Sequence, residues 1–159
     1  MSMPFSLPQS CKIVQLIQPK TTSGAITSDA VSLKNCVKAW LIFHLTQAAV
    51  HATLITPRQA TDVAVGTNAV VPAVPIWANE DVATSDALVA QTAAANYTVT
   101  ADVKNKIVIF EIDPVLLTDG YPVVYATVAA SGEATNFVAA EAILWSTYQQ
   151  ATPPSAIVD

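Results

Sequence analysis

The nine residues from Lys38 to Thr46, KAWLIFHLT, constrain the fold more than any other part of the chain. Side chains alternate across a β-strand, so Ala39, Leu41, Phe43 and Leu45 share one face while Trp40, Ile42 and His44 share the other. Both faces are largely apolar. A sandwich strand covered on one side carries polar residues at every second position, so this strand requires cover on both sides. The segment Asn105 to Ile112, NKIVIFEI, repeats the pattern, with Ile107 and Ile109 opposite Val108, Phe110 and Ile112. Asp113-Pro114 ends it, because proline has no N–H to give to a ladder.

Other short segments rich in Val, Ile, Thr, Tyr, Phe and Trp recur between turn-forming residues, as they do in sandwiches. They predict strands near 11–18, 30–34, 38–46, 51–57, 63–71, 73–79, 95–100, 105–112, 121–129 and 138–148. Two stretches also carry helical signals. In Phe137 to Tyr148, Phe137, Ala140, Leu144 and Tyr148 recur at helical spacing, but the clustered aromatic and β-branched residues favour a strand. Thr84 or Ser85 as an N-cap ahead of alanine-rich sequence predicts one short helix within Thr84 to Ala95.

Strands joined by loops, with no crossover helices, predict an all-β chain. The expected form is an antiparallel β-sandwich of jelly-roll or related Greek-key topology, with extended terminal arms. A chain of 159 residues fits one such domain, placed at 11–149 between an N-terminal arm at 1–10 and a C-terminal arm at 150–159. Pro4 and Pro8 stiffen the first arm, and Phe5 and Leu7 give it apolar anchors; Ile157 and Val158 anchor the second. Anchored arms of this kind predict a neighbouring subunit for them to lie on.

Composition narrows the function. Hydrophobic residues make up 52% of the chain and charged residues 12%, about half the usual charged share. Some of the apolar excess is therefore expected to be buried against other subunits, as obligate interfaces bury it. The apolar runs Val37 to Leu45 and Ile107 to Ile112 fall far short of the roughly 20 residues of a membrane helix, so no membrane partner is expected. The opening MSMPFSLPQS lacks the basic start and apolar run of a secretory signal, which predicts synthesis in a cytoplasm. With a net charge of −5 and Arg58 as the sole arginine, there is no basic patch for phosphates, and nucleic acid is not an expected partner. Cys11 and Cys36 are read as two reduced, buried thiols.

No catalytic or cofactor motif stands out. The four glycines, Gly24, Gly66, Gly120 and Gly132, form no phosphate loop, and no serine sits on a GxSxG elbow. Cys11, Cys36, His44 and His51 lack the spacing of a zinc site. His44 and His51 would face each other if their strands formed a hairpin; otherwise His44 reads as a hydrogen-bonded packing residue. Glu80, Asp81 and Asp86, following Trp77, admit a calcium loop or a carboxylate pair beside a sugar platform, but the plainer reading is a polar loop with solvated or capping carboxylates. The expectation is a chain that is not an enzyme and has no cofactor.

The strings VSLKNCVKAWLIFHLTQ (31–47), QATDV (59–63), VPIWANEDVATSDALVAQT (74–92) and VKNKIVIFEIDP (103–114) resemble a family of small virion proteins of tailed bacteriophages associated with capsid decoration, or cement. The resemblance implies a jelly roll on the outside of an assembled shell, bridging neighbouring copies of the major capsid protein and self-associating as a dimer or trimer. It carries no functional residues with it. Aromatic residues enrich interface hot spots, so Trp40 and Trp77 join Phe5, Leu7, Ile157 and Val158 as candidate interface residues. Tyr97, Phe110 and Trp145 are further candidates, for interface or core. Three other readings stay open: a receptor- or glycan-binding module with Trp77 beside Glu80 and Asp81, a tail or neck protein, and a small hydrolase using His44 or His51.

Overall fold

The computed structural model describes residues 5–147. The chain is an all-β antiparallel sandwich of two sheets. Its strands are β1 (Cys11–Thr21), β2 (Ile26–Thr27), β3 (Val31–Ser32), β4 (Cys36–Thr46), β5 (Thr53–Ala60), β6 (Asn68–Val70), β7 (Val74–Asn79), β8 (Val89–Ala94), β9 (Tyr97–Val99), β10 (Asn105–Ile112), β11 (Val123–Val128) and β12 (Phe137–Ser146). The first sheet runs β1-β12-β4-β10-β7-β8 and the second β2-β11-β5-β6, with β3 beside β2 on β11 and β9 beside β6 on β5.

The jelly-roll topology follows from these orders. With β2 and β3 sharing one strand position, and β6 and β9 another, the chain fills eight positions. The first sheet then reads first, eighth, third, sixth, and the second reads second, seventh, fourth, fifth, so the chain winds through two Greek keys. The fifth position is split where it faces Thr56 and Pro57: β9 pairs with Thr53 to Ile55 and β6 with Arg58 to Ala60. Pro57 has no N–H to offer a partner there. The β7–β8 hairpin is inserted between the two halves and extends the first sheet beyond β10.

Alternation places Ala39, Leu41, Phe43 and Leu45 of β4 and Val108, Phe110 and Ile112 of β10 in the interior. Phe43 and Phe110 meet edge to face at 5.9 Å, the arrangement that the ring quadrupoles favour. Ile55, Val124, Ala126 and Val128 of the second sheet close over them. Each such side chain contributes about 1.5–3 kcal/mol on full burial. Asn136 ties the far end, accepting from the N–H groups of Ala48 and Ala49 at 2.9 and 2.8 Å and donating to the Ala49 carbonyl at 3.1 Å.

Three segments depart from the expected layout. The helix expected within 84–95 is absent: the chain turns and then forms β8. A helix under about 12 residues is marginal alone, and pairing with β7 supplies the backbone hydrogen bonds instead. The strand expected at 63–71 is reduced to β6, because the chain loops through 61–67 with Val65 at φ 52°. Within the arm expected at 1–10, Leu7–Ser10 form a single helical turn. The segment 137–148 is a strand as expected over Phe137–Ser146; Tyr148 and the arm at 150–159 lie outside the described residues.

The same parity that buries Val108 and Phe110 also buries Lys106, whose side chain is fully enclosed. Its ammonium donates to the carbonyl and hydroxyl of Thr100 at 2.6 and 2.7 Å and lies 3.0 Å from Glu80. Losing one member of a buried ion pair leaves the other uncompensated. Lys106→Met should therefore lower the unfolding free energy in urea by about 3 kcal/mol, at the low end of the range because Glu80 keeps some contact with water. Adding Glu80→Gln to that variant should recover part of the loss; a single variant as stable as the parent would show that the pair holds nothing.

Candidate functional site

The outer face of the first sheet is built from the positions between the core residues. Cross-strand register aligns Ile13, Ile143, Trp40 and Glu111 in one row and Gln15, Glu141, Ile42, Ile109, Trp77 and Ala90 in the next. A third row holds Ala139, His44, Ile107 and Asn79. Isoleucines and tryptophans thus cover the middle of a face that opens away from the second sheet. Ile13 is 46% exposed, Trp145 45% and Trp77 38%.

At the corner where β1, β12 and β4 meet, the start of the chain folds onto this face. Phe5 and Leu7 join Cys11, Trp40, Ile143 and Trp145 around a cavity of about 290 Å³. Phe5 remains 74% exposed, so it forms a wall of the cavity and does not plug it. Toward the middle, a polar bridge crosses between the two tryptophans of neighbouring rows. Lys38 pairs with Glu111 at 2.5 Å and lies 5.7 Å from the centre of the Trp40 ring, and Glu111 accepts from the Trp77 indole N–H at 3.0 Å. The bridge satisfies the Trp77 indole N–H and sets the Lys38 ammonium over one face of the Trp40 ring.

Of the candidate residues, Phe5, Leu7 and Trp40 come together in the corner cavity, and Trp77 lies on the same face beyond the bridge. Trp145 is part of the corner, and Phe110 belongs to the core. Ile157 and Val158 lie outside the described residues. The described part of the N-terminal arm rests on its own sheet, at Cys11 and Trp40. Cys11, Ile13 and Ile143 were not among the candidates; strand alternation in the sequence already puts Ile143 on one face with Trp145, and the same alternation in β1 puts Cys11 and Ile13 on one face. Burial pushes both thiols above their ordinary pKa; Cys11 is buried, Cys36 only partly, and both are free.

The histidine readings are corrected. β4 and β5 belong to different sheets, so no hairpin brings His44 to His51. His44 is exposed on the outer face, 3.6 Å from Glu141, and is not a packing residue. Among the described residues, no group of three or more His, Cys, Asp or Glu side chains is placed to hold a metal ion, and no helix is long and apolar enough to cross a membrane.

Of the carboxylates after Trp77, Glu80 and Asp81 are occupied and Asp86 is exposed, so no free acid pair stands beside Trp77. Besides Lys106, Glu80 accepts from the Tyr97 hydroxyl at 2.8 Å and from the Thr100 hydroxyl at 3.1 Å. Asp81 pairs with Lys104 at 2.9 Å, and hydrogen bonds from Lys104 and then Thr84 hold its carboxyl below the usual range. This cluster fastens the loop after β7 to the start of β10.

No protein-family model and no curated protein matches the chain. Among solved structures, the SPBc2 prophage-derived protein YomS is similar over 86% of this chain and 93% of its own, with a TM-score of 0.49 and 12% identity. A structure of desmodium yellow mottle tymovirus aligns over 96% of this chain and 97% of its own, with a TM-score of 0.20 and 11% identity. At these scores neither likeness bears on what the chain does.

Tyr97 carries the pH dependence of the Glu80 cluster. Burial, and then the hydrogen bond and charge of Glu80, push its phenol above the ordinary value of 10.0. Above that pH the unfolded chain gives up a proton that the native state keeps, so stability falls as pH rises. Unfolding free energies measured from neutral pH upward should decline past about pH 10, and less steeply in Tyr97→Phe; identical slopes would mean the phenol is not perturbed.

Proposed function

We propose that this chain is a structural protein of a tailed-phage virion. In this reading it decorates the assembled capsid by laying the outer face of its first sheet across neighbouring copies of the major capsid protein. The observation that carries the reading is the apolar outer face itself, with Trp40, Trp77 and Trp145 set on it in successive rows and no element of the described chain laid across its middle. The resemblance of its central strings to decoration proteins supplies the partner. The pairing of Glu80 with Lys106 and of Asp81 with Lys104 supports a protein-binding role over a glycan-binding one at Trp77.

The energetics suit such a role. A protein that binds only the assembled shell adds free energy to that state alone and so stabilises it by mass action. Large aromatic anchors in a desolvated centre supply most of the affinity of such a contact. The Phe5 and Leu7 wall gives the corner cavity an apolar rim that an inserted side chain of the capsid protein would complete.

Occupancy on purified particles tests this directly. Trp145→Glu and Trp40→Glu should each reduce the bound copies, with a loss of about 2 kcal/mol or more in attachment, while circular dichroism remains that of the parent. Val115→Glu, at an exposed position after β10 and off this face, is the control and should bind normally. Full occupancy by both tryptophan variants would refute the proposal.

A further inference from the structure

Every open sheet ends in strands whose outer N–H and C=O groups have no partner, and proteins blunt such edges with charge, proline, bulges or brevity. The edges of this sandwich are not equally blunted. β1 carries Lys12, Pro19 and Lys20 and two register shifts. At the edges of the second sheet, β2 and β3 are two residues each and β6 and β9 three each. β8 is six residues, VAQTAA, with neither charge nor proline. Its one register shift lies opposite Pro75 and leaves Val89, Ala90 and Gln91 in regular pairing with β7.

Nothing among the described residues pairs with the other side of β8. The Gln91 side-chain amide folds back onto the Val89 carbonyl at 3.0 Å, a local substitute for a strand partner. The strand also buries none of its side chains: Val89 is 58% exposed, and Leu88 before it is exposed as well. A strand with Gln91 and Ala94 half-buried, the rest exposed and one edge unpaired among the described residues gains little from its own chain, yet it lacks the charges that keep such edges apart.

We propose that β8 pairs antiparallel with β8 of a second copy, about a two-fold axis near Ala90, joining two six-stranded sheets into one. Identical strands meet in this way at an isologous interface. Each chain carries a net charge of −5, and this edge lets two copies approach without setting like charges face to face. A foreign strand would be selected through pockets for alternate side chains, and the small residues Ala90, Thr92 and Ala93 offer none. Because the axis stands perpendicular to the sheet, both outer faces point the same way, and the row ending at Trp77 and Ala90 continues into its counterpart. If the virion reading holds, one dimer then grips the shell at two places, and effective concentration strengthens the second contact.

Sedimentation of the full chain at tens of micromolar reads the pairing. The parent should run as a dimer. Ala90→Lys and Ala90→Glu each set like charges across the axis and should raise the dimer dissociation constant about tenfold. An equimolar mixture of the two should restore the dimer, which misfolding would not do. A monomeric parent, a dimer indifferent to both substitutions, or a mixture that stays monomeric overturns the proposal. Particle occupancy separates the two ideas: a β8 dimer that leaves capsids bare refutes the virion role alone, and a monomer that coats them refutes the pairing alone.

Discussion

The inward packing of β4 against β10 is the constraint on which the rest of the structure depends. Leu41, Phe43, Val108 and Phe110 are wholly buried, and Phe43 and Phe110 lock edge to face between the sheets. Strand alternation then leaves no freedom in the neighbouring positions: Trp40, Ile42, Ile107 and Ile109 must face outward. A slip of one residue would exchange the two sets and bring His44 and Glu111 into the core. The register that stabilises the sandwich is therefore the register that displays its apolar outer face.

The two sheets treat their outer faces differently. On the second sheet, the loop 61–67 folds back so that Val63 and Val65 pack against Ala60, Val123 and Tyr125. Arg58 completes that cover, donating to the Tyr125 hydroxyl at 2.9 Å and to Asn68 at 2.6 Å. On the first sheet, Phe5 and Leu7, the described start of the chain, lie at one corner, by Cys11 and Trp40. Among the described residues such cover lies over the second sheet and over one corner of the first, and that difference is the basis for proposing the first as a surface for a partner.

Much of this was legible in the sequence, because the alternation in KAWLIFHLT and NKIVIFEI fixes both the strands and their inner faces. The same alternation predicted two apolar faces on β4, and the structure divides them into one that the second sheet covers and one across whose middle no described element lies. Misreadings arose where a local signal competed with tertiary pairing. Alanine-rich sequence after Thr84 and Ser85 suggested a helix, yet β7 offered a ladder that a short isolated helix cannot match. The supposed hairpin of His44 and His51 failed because successive strands of a jelly roll cross between sheets. Lys106 was overlooked because a lysine is rarely buried; its parity with Val108 was visible, but its partners Glu80 and Thr100 become neighbours only through the fold.

Charge is used sparingly, and largely for structure. Lys106 is committed to Glu80, Lys104 to Asp81 and Lys38 to Glu111. In the proposed contact the outer face would present Lys38 and Glu111 already neutralising each other, with His44 beside Glu141. Long-range steering by such a surface is weak, so the proposed association would gain little in rate from charge and would depend on apolar burial, which salt does not screen. Because core and surface positions interleave along β4, β10 and β12, the chain can change Trp40 or Ile143 without touching Leu41 or Leu144. A partner contact on this face and the stability of the fold would therefore be tuned at alternate residues of the same strands.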